Sequence, residues 1–175
     1  MSGDVTVRPI RDAVDAAENR RYRREVRRRW AWFGVAAIVT FAVDQLTKLL
    51  VRTGIEPGER IDLIAGVGLV RARNEGIAFG FFPGNRAVVA TLTVVALAVI
   101  AGVLVRLARQ SLWVAFGGGL LVGGSVGNLL DRVIHGGVTD FIDPPAFPAF
   151  NMADTGITLG AVVIALGLMR AGGRE

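Results

Sequence analysis

The chain has 175 residues, 52% of them hydrophobic, with 23 glycines, no cysteine and a formal net charge of +5. So apolar a composition is foreign to a soluble domain of this length and makes a membrane the natural solvent. The missing cysteine excludes disulfides, thiol nucleophiles and thiolate metal sites together.

Residues 1–29 form a basic arm with nine arginines: Arg8, Arg11, Arg20, Arg21, Arg23, Arg24, Arg27, Arg28 and Arg29. Its first part, to about residue 19, mixes charges with alanines and is expected to be poorly ordered. Basic runs attract any polyanion, but this one abuts a hydrophobic segment, and membrane-orienting charge accounts for it without a nucleic-acid partner. No cleavable signal sequence is expected either, since the arm is long, the apolar stretch after it is interrupted by charge, and no small-residue cleavage pattern follows.

A helix rising about 1.5 Å per residue needs roughly 20 apolar residues to cross about 30 Å of hydrocarbon. Four segments approach that length. The first runs from Trp30 to about Val51 and carries Asp44, Gln45, Thr47 and Lys48 in its second half. Asp44 and Lys48 stand four apart and are placed to pair. The second, Ala87 to Val105, and the third, Leu112 to Leu130, hold no charge. The fourth, Ile157 to Met169, spans only if extended backwards through Asp154. Backbone polar groups must be satisfied inside lipid, so each segment is expected to be helical. Arginines before span one, between spans two and three (Arg106, Arg109) and after span four (Arg170, Arg174) place both termini in the cytoplasm.

The connection from Arg52 to Arg86 then faces outward and is too long for a simple link. It opens on the turn signal Glu56-Pro57-Gly58-Glu59 and continues in partly alternating runs through Ile61-Asp62-Leu63-Ile64 and Leu69-Val70-Arg71-Ala72-Arg73. A small sheet on the membrane surface fits that pattern. Its end, Asn74 to Pro83, mixes polar groups, glycines and aromatics, as suits the headgroup layer. The expected fold is thus an all-α polytopic membrane protein with four transmembrane helices and a small extracytoplasmic β-element in the first outward loop. It divides into the arm (1–29), a membrane domain (30–170, with outward loop 52–86) and a short cytoplasmic tail (171–175).

Gly119, Gly123 and Gly127 recur every four residues on span three and predict close approach of a neighbouring helix. Gly123-Gly124-Ser125-Val126-Gly127 also matches the G-x-S-x-G pattern, which requires a strand-to-helix elbow and a histidine base. Ser125 sits in a helical run and the single histidine, His135, lies ten residues on, so packing is the better reading. A lone histidine does not make a zinc site, and no metal is expected.

Span three ends in Asn128-Leu129-Leu130-Asp131-Arg132, whose polar groups share one helical face by spacing. Val138-Thr139-Asp140-Phe141-Ile142-Asp143 and a proline-punctuated stretch follow, and Phe150-Asn151-Met152-Ala153-Asp154 opens span four. Ionisable groups at membrane depth are costly and point to function or obligatory pairing. Asp131 beside Arg132 fits an ion pair at a helix end, whereas Asp154 has no basic neighbour in sequence. If Asp140 folds back onto Asp154, the two carboxylates cannot both ionise easily and titrate as a unit able to activate water against a peptide bond. The alternative is a small transporter or proton-relay protein, in which such acids would be spaced through the bilayer depth. A noncatalytic scaffold packed on the glycine stripe is a third.

Asp44-Gln45-Leu46-Thr47-Lys48, Asn74-Glu75-Gly76-Ile77-Ala78-Phe79, Gly127 to Arg132, Val138 to Phe141 and Phe150 to Asp154 occur in the order found in bacterial lipoprotein signal peptidase, also called signal peptidase II. The resemblance spans roughly residues 30 to 170. It implies an inner-membrane aspartic endopeptidase that cuts prolipoproteins just before a cysteine carrying diacylglycerol, and no cofactor is expected. It further implies membrane lipids as neighbours, the cyclic peptide globomycin as inhibitor, a monomer, and an active site toward the outer face. By the same resemblance Asp140 and Asp154 are the catalytic pair and Asp131 a supporting acid. Asn128, Arg132 and Asn151 then match polar groups that position substrate or dyad, Asn74 an outer-loop residue near the substrate, and Asp44 a structural acid at the outer end of span one. Two features depart from the family: a shorter segment between Phe141 and Ala153, and a longer, more arginine-rich arm.

Overall fold

The computed structural model describes residues 7–76, 111–172 and isolated positions between 91 and 108. In chain order these form helix α1 (Val7–Gly54), strands β1 (Arg60–Asp62) and β2 (Gly68–Asn74), helix α2 (Leu112–His135), strand β3 (Val138–Asp143) and helix α3 (Met152–Gly172). Three described helices are long and apolar enough to cross a membrane. About half of the expected second span, Ala87 to Val105, falls outside the described residues, and the loop from Ile77 to Arg86 does so entirely.

The arm departs from expectation. Rather than beginning near Trp30, α1 starts at Val7 and runs unbroken into the span. Alanine and arginine are strong helix formers, and elongating an existing helix avoids the cost of nucleating one. Along its C-terminal part α1 buries Ala36, Thr40, Asp44, Lys48 and Val51, a stripe of three- and four-residue steps facing the other elements that Ile55, just past the helix, continues.

Helix α2 is the central element and packs against both α1 and α3. The predicted glycine stripe does bring a helix close, and a second stripe does the same on the other side. A Cβ on Gly119 or Gly123 would collide with α1 backbone at Phe33 and Ala37, and one on Gly127 with the Asp44 carboxylate. Gly117 and Gly124 face α3 instead, at Gly160 and Ala153. Small residues are what allow helices to approach when hydrocarbon outside is as apolar as the interface. Gly124→Val is therefore expected to cost about 3 kcal/mol or more and to lower activity as well, because Ala153 adjoins Asp154. Thermal unfolding in detergent checks this; an unchanged midpoint would contradict the close packing. Past α2, Gly136 takes a left-handed conformation (φ 70°) and its N–H bonds the Arg132 carbonyl, closing the helix and turning the chain into β3.

The sheet has three strands, ordered β1-β2-β3 and antiparallel throughout. Only two come from the connection after α1; the third follows α2, so the expectation of a sheet confined to residues 52–86 is corrected. Val138 to Asp143 is short, and it gains a partner only once α2 carries it beside β2. A bulge between Leu69 and Ala72 shifts the β2–β3 register, pairing Ala72 with Asp140 and Asn74 with Val138. Asn74 and Asp140 thereby become diagonal neighbours on one face. On the opposite face Phe141 packs with Val51 of α1 and with Ile55 just past its end, anchoring the sheet to the bundle. The proline-rich segment then folds straight back: Phe150 exchanges backbone hydrogen bonds with Ile142, which delivers Asn151 beside Asp140.

Candidate active site

A cavity of about 1190 Å³ lies where the sheet meets the C-terminal end of α2 and the N-terminal end of α3. Asp140 and Asp154 both line it, with Asn74, Asn128 and Arg132, while Phe147, Phe150, Ile157 and Leu159 give it an apolar side.

Three asparagine amides hold the two carboxylates, and each amide has its orientation fixed by a donor at its carbonyl end. Asn74 accepts from the Gly76 N–H (3.0 Å), so its NH2 points at Asp140 Oδ2 (3.1 Å). Asn151 accepts from the Asp154 N–H (3.0 Å), so its NH2 meets Asp140 Oδ1 (2.6 Å). Asn128 accepts from Lys48 Nζ (2.8 Å), and its NH2 reaches Asp154 Oδ1 (2.8 Å). The Asn151 N–H also donates to Asp154 Oδ2 (3.2 Å), so that Asn151 bridges the two acids. That reciprocal pair is a capping box: Asn151 is the N-cap of α3 and Asp154 its third residue, which satisfies helix-start N–H groups that lipid would leave bare.

Asp140 is 4% exposed. Burial, chiefly, pushes its carboxyl up to about 6; the nearby Asp154 charge adds to this, against the hydrogen bonds from Asn74 and Asn151 and the more distant Lys48 charge.

Behind the cavity lies a buried charge cluster. Lys48 pairs with Asp44 (2.9 Å) and Asp131 (3.5 Å), all three side chains being fully enclosed. Asp131 also takes Arg52 (3.2 Å) and the Thr139 N–H (3.0 Å). Asp44 reaches across to accept from the Ala153 N–H (2.9 Å), supplying a second cap to α3. The sequence-based grouping of Asn128, Asp131 and Arg132 on one face thus divides: Asn128 and Arg132 look into the cavity and Asp131 turns toward α1. Residues 131 and 132 lie about 100° apart around a helix of 3.6 residues per turn, enough to send them to different neighbours. The expected pairing of Asp131 with Arg132 gives way to Lys48 and Arg52. Arg132 donates to the Asn128 backbone carbonyl and, at 3.2 Å, to the Gly76 carbonyl, tying the segment after β2 to α2.

Beyond the Asp44–Lys48 pairing, the support that Lys48 and Arg52 give to Asp131 is not among the sequence-based expectations. Their spacing from Asp44, four residues for Lys48 and eight for Arg52, is the available signal, since i, i+4, i+8 marks one face. Ser125 borders the cavity but sits within α2, without the elbow a serine nucleophile requires. Among the described residues no cluster of His, Asp or Glu is arranged to hold a metal ion.

Comparison with known proteins places these residues in a broader setting. The family model described as signal peptidase (SPase) II matches residues 36–170. A lipoprotein signal peptidase of Rhodococcus jostii is 42% identical over 146 residues, covering 78% of this chain and 71% of that protein. One from Gloeobacter violaceus is 42% identical over 149 residues, covering 82% and 84%. A solved bacterial membrane enzyme superposes with a TM-score of 0.69 at 28% identity, covering 81% of this chain and 90% of its own.

Proposed function

The chain belongs to the signal peptidase II family and is a protease of that type, and from this premise we propose that it is an aspartic endopeptidase whose dyad is Asp140 and Asp154. The substrates are diacylglyceryl-modified prolipoproteins, cut on the amino side of the lipidated cysteine. The enzyme sits as a monomer in a bacterial inner membrane, four spans and both termini cytoplasmic, with its site toward the outer face. The observation that carries the reading is that two acids from separate elements line one cavity, bridged by Asn151 and each held by oriented amides.

Asp140, the more deeply buried acid, holds the shared proton, and Asp154 is the ionised partner. Water enters between them. Asp154 takes one of its protons as the oxygen bonds to the scissile carbonyl carbon, while Asp140 gives its proton to the carbonyl oxygen. When the resulting diol collapses, the carbon–nitrogen bond breaks. The amine leaves with the proton from Asp154, and Asp140 recovers one from a diol hydroxyl. One water is consumed, no covalent intermediate forms, and the dyad returns to its starting state. The apolar wall of the cavity suits the substrate's lipid and signal helix, both of which already lie in the bilayer.

The test is cleavage of a synthetic diacylglyceryl-modified prolipoprotein by purified protein in lipid, measured against pH. Cleavage before the modified cysteine, no cleavage of the unlipidated peptide and inhibition by globomycin are expected. With Asp140 pushed up to about 6, kcat/KM should fall as pH rises through that value. The corresponding limb in kcat lies higher, because bound apolar substrate dries the site further. A folded protein that never cuts, or a rate flat across the range, would overturn the reading.

A further inference from the structure

Lys48 touches neither acid of the proposed dyad, yet it governs what Asn128 can offer one of them. The ammonium has three donors and no acceptor, so it tolerates only the carbonyl end of the Asn128 amide. With Oδ1 held 2.8 Å from Nζ, the NH2 end is turned to Asp154 Oδ1, also at 2.8 Å. Inverting the amide would set an NH2 against a fully enclosed ammonium. We propose that Lys48 is a positioning residue of the reaction: by holding the Asn128 carbonyl it compels that amide to donate to Asp154, and so fixes Asp154 as the acid that receives the proton of water.

The two acids are thereby made unequal. Both amides on Asp140 are oriented by neutral backbone N–H groups, those of Gly76 and Asp154. The amide on Asp154 is oriented by a full charge, and a chain of donors beginning at a cation polarises each bond along it. Other charged groups also face this region. Asp131 and Arg132 come from α2, Asp140 from β3, Arg73 and Glu75 from the rim at β2, and Asp44 and Arg52 from α1 beyond Lys48. Within the cluster Asp44 and Asp131 share Lys48, and Arg52 pairs with Asp131. Among the described residues, the hydrogen-bonded path from that cluster to Asp154 through a side-chain amide is Lys48 to Asn128.

This inference rests on the dyad reading above, and the experiment separates the two. Lys48→Met would leave Asp44 and Asp131 without their shared cation, so the charge-balanced double variant Lys48→Gln with Asp44→Asn is measured instead. Asparagine keeps an acceptor for the Ala153 N–H, and glutamine, being both donor and acceptor, no longer dictates the Asn128 amide. Full-length protein is assayed for kcat/KM against pH on the diacylglyceryl-modified prolipoprotein, with thermal unfolding alongside. The acid limb is expected to move up by about one pH unit, a tenfold loss of rate on that side, with the rate at higher pH largely recovered. Lys48→Arg, still charged and donor-only, should keep the limb in place. Arg52→Gln removes a cation from the same cluster without touching Asn128, and should lower the unfolding midpoint while leaving the limb unmoved. A folded double variant with the wild-type limb would overturn the proposal. So would a shift in Arg52→Gln as large as in the double variant, since the effect would then belong to the summed charge. Failure of the dyad reading shows separately, as Asp154→Asn retaining its rate wherever the limbs fall.

Discussion

Asp140→Asn and Asp154→Asn are each expected to lower cleavage of a lipidated prolipoprotein by roughly a thousandfold or more while the purified proteins stay folded. Asparagine nearly matches aspartate in shape but can neither hold the shared proton nor accept one from water. The two variants differ in stability, and that difference is informative. The Asp140 carboxyl is raised above its ordinary value to about 6, so the fold prefers its neutral form. The stability linked to this group is therefore fully present below the ordinary carboxylate range and is lost as pH rises through about 6. Above that pH the wild type bears the cost of a buried charge that Asp140→Asn does not have. The variant should match or exceed the wild-type unfolding midpoint near neutral pH and fall below it in acid, where the neutral acid keeps its two amide partners without penalty. Near-full activity in folded Asp140→Asn would remove that residue from the dyad and make Asp131 the next acid to test.

The largest loss of stability is expected from Asp44→Ala, about 3–5 kcal/mol. Asp44 is fully buried and serves two elements at once, pairing with Lys48 at 2.9 Å and accepting the Ala153 N–H at 2.9 Å. Its removal strands a buried cation and uncaps α3 one residue before Asp154, so activity should fall with stability. Adding Lys48→Met to Asp44→Ala should restore part of the loss, because breaking a buried pair costs more than deleting both partners. Unfolding midpoints of the two singles and the double, in one detergent, measure this. Losses that simply added would mean the two side chains do not act as a pair.

Asp44 also shows how far sequence reasoning reaches. Its four-residue spacing from Lys48 is enough to expect their contact, because a helix fixes local neighbours by itself. Its bond to Ala153, 109 positions away, is invisible in the sequence and depends on how α1, α2 and α3 pack. Asp131 makes the same point in reverse: sequence adjacency favours Arg132, while packing gives it Lys48 and Arg52. Lys48 reads as a local partner of Asp44 until α2 sets Asn128 against it.

By itself the sequence determined the membrane-crossing character of the described helices and the family-like order of polar motifs. Long apolar runs must be helical in lipid, and motif order needs no third dimension. It also marked Gly119, Gly123 and Gly127 as a packing face, since helical spacing alone aligns them. Tertiary structure decided the rest. It continued α1 back to Val7, took a third strand from beyond α2, and used a bulge to bring Asn74 onto the face of Asp140. It parted Asp131 from Arg132, giving the first to Lys48 and Arg52 and the second to the Gly76 carbonyl. Those outcomes turn on register, on helix rotation and on which buried donors find acceptors, which are settled only when separate elements meet and each buried polar group must find its partner.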